Sequence, residues 1–345
     1  MTTRRKAAEA ASAEPPPISH PEKVLFPDDG ITKGELCAHY AAVAPVMLPH
    51  VRGRPVTMER HPAGIDKPGF LQKDVSRGFP DWLGRVGIES KGGAKPGRTV
   101  HYPLADDERA LVWLANQNSI TPHVWTSRMP ALDRPDLCVF DLDPAGDDPR
   151  PLRTAALAVR DLLAELGLPS FVKTSGSKGF HIVVPLDGEA SFEGPWRFAH
   201  GAGAVLVKRH PDILTQEFIK ADRAGRIFVD TGRNGYGATF AAVYAVRARP
   251  GAPVSAPCTW REIEDGSVAP RTFTLRTMPG RLAEVGDLWQ DVERERRGLG
   301  EATAALERLL TDEDWKEAHA ASTRRPGPRK RPAKNPVKHS NGDPS

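Results

Sequence analysis

Three short stretches of this chain carry side chains that could do chemistry together. The first is Asp141-Leu142-Asp143. On an extended strand residues i and i+2 project to one face, so the two carboxylates converge while Leu142 turns to the other side. Paired carboxylates repel unless a cation lies between them, and hard oxygen donors suit Mg2+ or Mn2+. On its own, an Asp-x-Asp just past a strand is more commonly a turn or a helix cap, and the nearby Asp147 and Asp148 read as such caps.

The second stretch is Ser175-Gly176-Ser177-Lys178-Gly179-Phe180-His181. Its glycines let backbone N–H groups come close to an anion, and a hydroxyl, an ammonium and an imidazole add donors, as in a phosphate cradle. It is not a Walker A loop, which needs four residues between Gly and Gly-Lys-Ser/Thr. Gly201 and Gly203 do not make a dinucleotide fingerprint either, since the third glycine and the preceding strand are missing. A plain polar hairpin turn is the competing description. Alternation puts His181 on the face of Val183 and opposite Ile182, which makes it a partnered core histidine or a site residue. The third stretch, Ile227-Phe228-Val229-Asp230 followed by Thr231-Gly232-Arg233, again delivers a carboxylate to a strand end with an Arg within one turn. Three strand-end acids, with Lys178, His181, Arg233 and Arg247, form a set with one purpose: acids for divalent metals and cations for a polyphosphate.

These residues need elements to hold them. Thr32 precedes a helical pattern from Lys33 to Leu48, with Leu36, Tyr40, Val43 and Met47 on one face, and Asp106 to Asn116 reads as a second helix. Leu137 to Phe140 is a buried strand that ends at the acidic pair. Asp147 and Asp148 start a helix with Pro149 in its first turn, Leu152, Ala156, Val159, Leu163 and Leu166 on its face, and Gly167 at its close. Ser170–Thr174 and Phe180–Leu186 flank the glycine loop as a hairpin. Trp196 to Arg209 reads as a helix, Ile227 to Asp230 as a short strand, and Thr239 to Val246 as a strand leading to Arg247. Strands and helices interleave without strict alternation, so the class is α/β or α+β with a mixed sheet.

Composition sets the outer bounds. The 345 residues are 39% apolar and 27% charged, which excludes fibrous and wholly disordered chains. No run of 18 apolar residues and no apolar leader is present, so neither a membrane span nor a secretory signal is expected, and the cytoplasm is the expected location. Cys37, Cys138 and Cys258 lack paired spacing and read as reduced packing residues, not as zinc or disulfide partners. The formal charge of +4 is unevenly spread: Thr323 to Ser345 hold seven Lys/Arg against one acid, which leaves the body net acidic. Residues 1–17 and 323–345 read as disordered ends, 18–300 as one catalytic unit and 301–322 as a helical extension.

The motifs together resemble the polymerase domain of bacterial ligase D, in the archaeo-eukaryotic primase superfamily. The likeness runs from about Ser19 to about Asp287. It rests on VFDLDP at 139–144, SGSKGFHIVVPL at 175–186 and RIFVDTGRNGYGATFAAVYAVRARPGAPVSAP at 226–257, supported by HPEKVLFPDDGITKGEL at 20–36, GRPVTMERHPAGI at 53–65, GFLQKD at 69–74 and WLANQNSITPHVW at 113–125. The resemblance implies mixed sheets with an RRM-like catalytic half and flanking helices. It implies that Asp141, Asp143 and Asp230 are the catalytic, metal-binding carboxylates, holding two Mn2+ or Mg2+ ions. Ser175, Lys178 and His181 resemble a triphosphate-contacting loop, Arg233 and Arg247 further phosphate ligands, and His123 a histidine near the nucleotide. Lys23 and Lys33 are similar to lysines that hold a DNA 5′-phosphate, and Phe70 to an aromatic that stacks on template bases. Leu71 stands where the family often has a second aromatic, which weakens stacking. No ligase domain and no phosphoesterase domain fit in this length, so a stand-alone form is expected.

The implied activity is template-directed addition of ribo- or deoxyribonucleotides to DNA 3′ ends, in gap filling and non-homologous end joining. The implied partners are gapped, broken or recessed DNA with its 5′-phosphate and other end-joining proteins, with no membrane, and the protein acting as a monomer. Two alternatives stay open from the residues alone: a metal-dependent nuclease using the same carboxylates with water as nucleophile, and a non-catalytic protein that binds DNA ends.

Overall fold

The helix Lys33–Val51 opens with a capping box: the Thr32 hydroxyl accepts the Glu35 N–H at 3.2 Å, and the Glu35 carboxylate accepts the Thr32 N–H at 2.9 Å. It runs one turn past the expected Leu48 and buries Leu36, Tyr40, Val43 and Met47 as the pattern requires. Beside it lies the helix Glu108–Asn116, capped by the Asp107 carboxylate on the Ala110 N–H at 2.7 Å. Tyr40 donates its hydroxyl to the Ile120 carbonyl at 2.6 Å, which fixes this helical pair to a four-stranded antiparallel sheet. Its order is Thr239–Ala241, Ser119–Trp125, Val56–Arg60, Phe70–Gln72. These features come from a computed structural model that describes residues 16–75, 78–90, 97–146 and 148–323. The expected disorder of the two ends lies, but for residues 16, 17 and 323, outside the described residues, as does Asp147.

The second sheet has six strands in the order Leu214–Thr215, Ile227–Asp230, Leu137–Asp143, Phe180–Pro185, Phe171–Thr174, Pro257–Cys258. Leaving aside the two-residue edge strand Leu214–Thr215 and a 3-10 turn, the chain from Leu137 to Asp230 runs strand, helix, strand, strand, helix, strand. The last and first strands pair side by side, followed by the third and the second, which is the split βαβ arrangement of an RRM-like unit. The two helices are Pro149–Glu165, capped by Asp148, and Glu193–Arg209, which starts one turn before the expected Trp196. They cover the face made by Cys138, Phe140, Leu142, Ile182 and Val184, all fully buried.

The other face changes character along the strand. Val139 and Val183 pair there without exposure, and one pleat further on Asp141 and His181 pair instead. The strand expected from Thr239 to Val246 is a correction. Only Thr239–Ala241 pairs as a strand, because Tyr244 adopts a left-handed backbone (φ 63°) and turns the chain, its N–H going to the Ser255 carbonyl at 2.7 Å. Helices Gly300–Glu307 and Asp312–Thr323 pack on Glu193–Arg209.

A buried ion cluster ties distant segments together. Arg54, fully buried, grips Asp136 with two parallel bonds of 2.6 and 2.9 Å, and Arg128 and Arg296 reach the same carboxylate at 2.6 and 3.2 Å. Next to Arg296, the Arg297 backbone bonds Pro185 and Asp187, each at 3.1 Å, and so ties this segment to the far end of the strand Phe180–Pro185. The three cysteines are free and buried, as their spacing suggests.

Candidate active site

Cross-strand register assembles the site. Asp230 lies opposite Asp141, Asp141 opposite His181, and His181 opposite Lys173, so four polar side chains form one row across four strands, with Asp143 one pleat further along. Residues paired in register share a face, and Leu142, fully buried, points the other way into the core. Asp230 and His181, far in the chain from Asp141 and Asp143, are thus their neighbours because of hydrogen-bond ladders and not because of loop geometry.

Each carboxylate already has a cationic partner. Arg233 reaches Asp141 at 3.2 Å and Asp230 at 3.1 Å, while Arg223 reaches Asp143 at 2.8 Å. Arg223 is itself held by the carbonyls of Glu217 and Phe218 and lies 4.2 Å from the centre of the Phe228 ring. Arg233 is the more exposed of the two. Its turn is locked to the central strand by Asn234, whose amide oxygen takes the Val139 N–H at 2.7 Å and whose amide nitrogen donates to the Val139 carbonyl at 2.8 Å. Burial opposes ionisation of Asp141, yet His181 at 3.4 Å and Arg233 hold its carboxyl well below the usual carboxylate range. Asp230 moves the other way: burial, and after it the Asp141 charge, outweigh Arg233 and push it up. Burial, aided by the Lys173 charge, brings the His181 imidazole down to about 4, so the ring is neutral at pH 7.

The glycine loop is a tight turn against this row. Ser175 is buried, and its hydroxyl accepts the N–H groups of Ser177 and Gly179, both at 3.1 Å. Its carbonyl accepts the Arg247 guanidinium at 2.7 Å. A Cβ on Gly179 would stand 1.6 Å from the Leu142 carbonyl oxygen, so only glycine lets the loop lie on the carboxylate strand. Gly176 has φ 64° and lies against the Arg247 side chain. Lys178 is exposed at the loop tip, beside a cleft of about 450 Å³ lined also by Pro144, Asp148 and Arg271.

The four-stranded sheet supplies the opposite wall. His123 sits 3.0 Å from the Glu59 carboxylate, and Glu59, His123, Asp141 and His181 all feel the Arg247 charge. Burial raises Glu59, but the bond from His123 and the charges of His123 and Arg247 outweigh it and bring the carboxyl down to about 2. Further along this sheet Phe70 and Leu71 are exposed, with the Arg60 guanidinium 5.5 Å from the Phe70 ring centre. Lys23 and Lys33 lie close enough to repel each other. Lys23 Nζ donates to the Pro62 carbonyl, and Lys33, only 2% exposed, donates to the Ser19 hydroxyl at 3.0 Å.

The structure therefore brings Asp141, Asp143, Asp230, His181, Arg233, Arg247 and Ser175 together, with His123 on the facing wall and Lys178 at the rim. Lys23, the buried Lys33 and the exposed Phe70 lie outside this set. Glu59, Lys173 and Arg223 are site residues that motif reading missed. A lysine inside the otherwise apolar Phe171-Val172-Lys173 strand was the one available signal among them. Among the described residues no three His, Cys, Asp or Glu side chains stand ready as a cation site. The donor chemistry nonetheless fits a hard divalent ion. Register-matched oxygen donors from neighbouring strands, one of them destabilised by the other's charge, are what such an ion would relieve once Arg233 yields.

Comparison with known proteins places these features. The family model described as LigD, primase-polymerase domain, matches residues 32–289. The multifunctional non-homologous end joining DNA repair protein LigD of Mycobacterium tuberculosis is 36% identical over 295 residues, 83% of this chain and 38% of the relative. The LigD protein of Pseudomonas aeruginosa is 37% identical over 300 residues, 85% of this chain and 34% of the relative. This chain thus spans less than two fifths of the length of either relative. The solved polymerase domain from M. tuberculosis ligase D in complex with DNA superposes with a TM-score of 0.76 at 35% identity, covering 83% of this chain and all of that one. The expected mixed α/β fold with its RRM-like half is the observed one. No described helix is long and apolar enough to cross a membrane.

Proposed function

Because this chain belongs to the LigD primase-polymerase domain family, we propose that it is a template-directed nucleotidyltransferase that adds nucleotides to DNA 3′ ends during end-joining repair. The observation that carries this reading is the register-matched row of Asp230, Asp141 and His181 beside a glycine loop backed by Arg247. Carboxylates and anion-binding donors meet at one end of the sheet's inner strands, which is what phosphoryl transfer needs: positioning and charge stabilisation. Two divalent ions, Mn2+ or Mg2+, would be held by Asp141, Asp143 and Asp230. Such ions, when bound, lower the pKa of an attacking hydroxyl and offset charge on the phosphates.

The protein's own groups do the remaining work. Arg233, released from Asp141 and Asp230, turns its guanidinium toward the triphosphate. Lys178 and Arg247 add positive charge on the pyrophosphate side, and the neutral His181 offers a donor next to Asp141. His123, oriented by Glu59, faces them across the cleft. Lys23 and Lys33 bind the 5′-phosphate of a gap, Phe70 and Leu71 stack on template bases, and ribonucleotides are the preferred substrates. The enzyme acts as a monomer with other end-joining proteins.

The test is primer extension on gapped, 5′-phosphorylated DNA with labelled nucleotides and Mn2+. Wild-type protein lengthens the primer, and the Asp141→Ala, Asp143→Ala double variant does not. Extension by the double variant at the wild-type rate removes the assignment, shortening of the DNA makes the protein a nuclease, and binding without any change of length makes it an end-binding protein.

A further inference from the structure

We propose that Lys173 is a positioning residue: it holds the His181 imidazole in a single tautomer, bare at Nδ1, with its Nε2–H directed at Asp141 and the cleft. The catalytic part of this inference rests on the reading given above; the tautomer itself does not.

Lys173 is fully buried, in the middle of a sheet, where an amine costs free energy that a methionine of similar volume would not. Its Nζ lies over the Phe240 ring, 5.5 Å from the ring centre. Nζ has two close partners, the Ser255 hydroxyl and His181 Nδ1, the latter at 2.8 Å. Ser255 donates its single hydroxyl hydrogen to the Thr174 carbonyl at 2.9 Å, so its oxygen can only accept from Lys173. As an ammonium, with donors only, Lys173 directs a second N–H at His181 Nδ1, which is then the bare nitrogen of a neutral ring; a neutral amine would accept there instead and reverse the tautomer, the outcome that overturns the proposal. The ring hydrogen is left on Nε2, the nitrogen 3.4 Å from the Asp141 carboxylate.

The chain of contacts runs Thr174 carbonyl, Ser255, Lys173, His181, Asp141. Its last three members are set by strand pairing: Lys173 lies opposite His181, which lies opposite Asp141. Without the lysine, Nδ1 loses its donor, and the ring is free to carry its hydrogen on either nitrogen or to rotate. A histidine whose second nitrogen is fixed by a buried partner is the usual way to keep an imidazole aimed.

The experiment is long-range 15N–1H correlation of 15N-histidine-labelled protein, with the His181 signal assigned by its loss in His181→Gln. Wild type should show a bare Nδ1 and a protonated Nε2. Lys173→Met should show a mixture of tautomers or the opposite one, and Ser255→Ala, which keeps the amine but frees it, a smaller change in the same direction. In steady-state extension, Lys173→Met should lower kcat by about 10- to 100-fold while KM for the nucleotide moves by less than roughly threefold. A wild-type ring with its hydrogen on Nδ1, or a folded Lys173→Met with the wild-type tautomer, overturns the proposal. The spectra decide this whether or not the protein extends primers, so a failure of the functional reading is seen separately.

Discussion

Gly179→Ala probes the closest approach in the site. The added Cβ would lie 1.6 Å from the Leu142 carbonyl oxygen, and real separations of this kind essentially never fall under 3.0 Å. Loop and carboxylate strand must therefore part by about 1.4 Å. The loop cannot absorb this alone, because the Gly179 N–H is bonded to Ser175 and its carbonyl accepts the Ser175 N–H at 2.9 Å. Misplacing catalytic groups by about 1 Å costs roughly 100-fold in rate. Forcing a methyl into a packed interior costs about 2 kcal/mol, which lowers Tm by roughly 3 °C in a chain of this size. The assays are single-turnover extension on gapped DNA and thermal unfolding. Gly280→Ala is the control: it lies inside the helix Met278–Val285 with nothing within 4 Å, so it should keep full activity and gain up to about 1 kcal/mol. If Gly179→Ala extends primers at the wild-type rate, the packing of the loop on Leu142 does not set the geometry between His181 and Asp141.

Three other outcomes follow from the same structure. The Glu59 carboxyl, held at about 2 against 4.5 for an ordinary glutamate, contributes stability that is present above pH 4.5 and lost as pH falls toward 2. Glu59→Gln should thus remove up to about 3 kcal/mol at pH 7 and nearly nothing at pH 2, measured by urea unfolding. Asp136→Asn strands the buried Arg54 and should cost about 3–5 kcal/mol, seen as a Tm lower by roughly 4–7 °C, with extension retained at low temperature. Deleting residues 323–345 should weaken DNA binding at low salt and flatten its salt dependence, by about 0.9 in slope for each phosphate that the tail had neutralised, with single-turnover incorporation unchanged.

Alternation along single strands put Asp141 and Asp143 on one face, and glycine spacing found the hairpin between Thr174 and Phe180. Both are local properties, legible without knowing what pairs with what. That Asp230 and His181 flank Asp141 depends on the register of three strands, and register is a long-range outcome. Glu59 and Arg223 escaped notice because nothing in their neighbourhoods marks them: one acts from the facing sheet, the other from a turn that folds back on Asp143. The strand predicted to reach Val246 stops at Ala241, since a left-handed backbone at a tyrosine leaves no trace in a hydrophobic pattern. The helix start at Lys33 is legible from Thr32, but the burial of the Lys33 side chain along Ser19 is a long-range contact with no local mark.

The segment around Arg296 and Arg297 has a practical meaning for anyone cutting this chain into a minimal fragment. The family model stops at residue 289. A fragment ending there would leave Asp136 with two of its three arginines and strip Pro185 and Asp187 of their backbone partner at the far end of the strand that carries His181. The smallest fragment that keeps the strand fully bonded has to run past Arg297, and its refolding yield should drop sharply between ends placed at 298 and at 290.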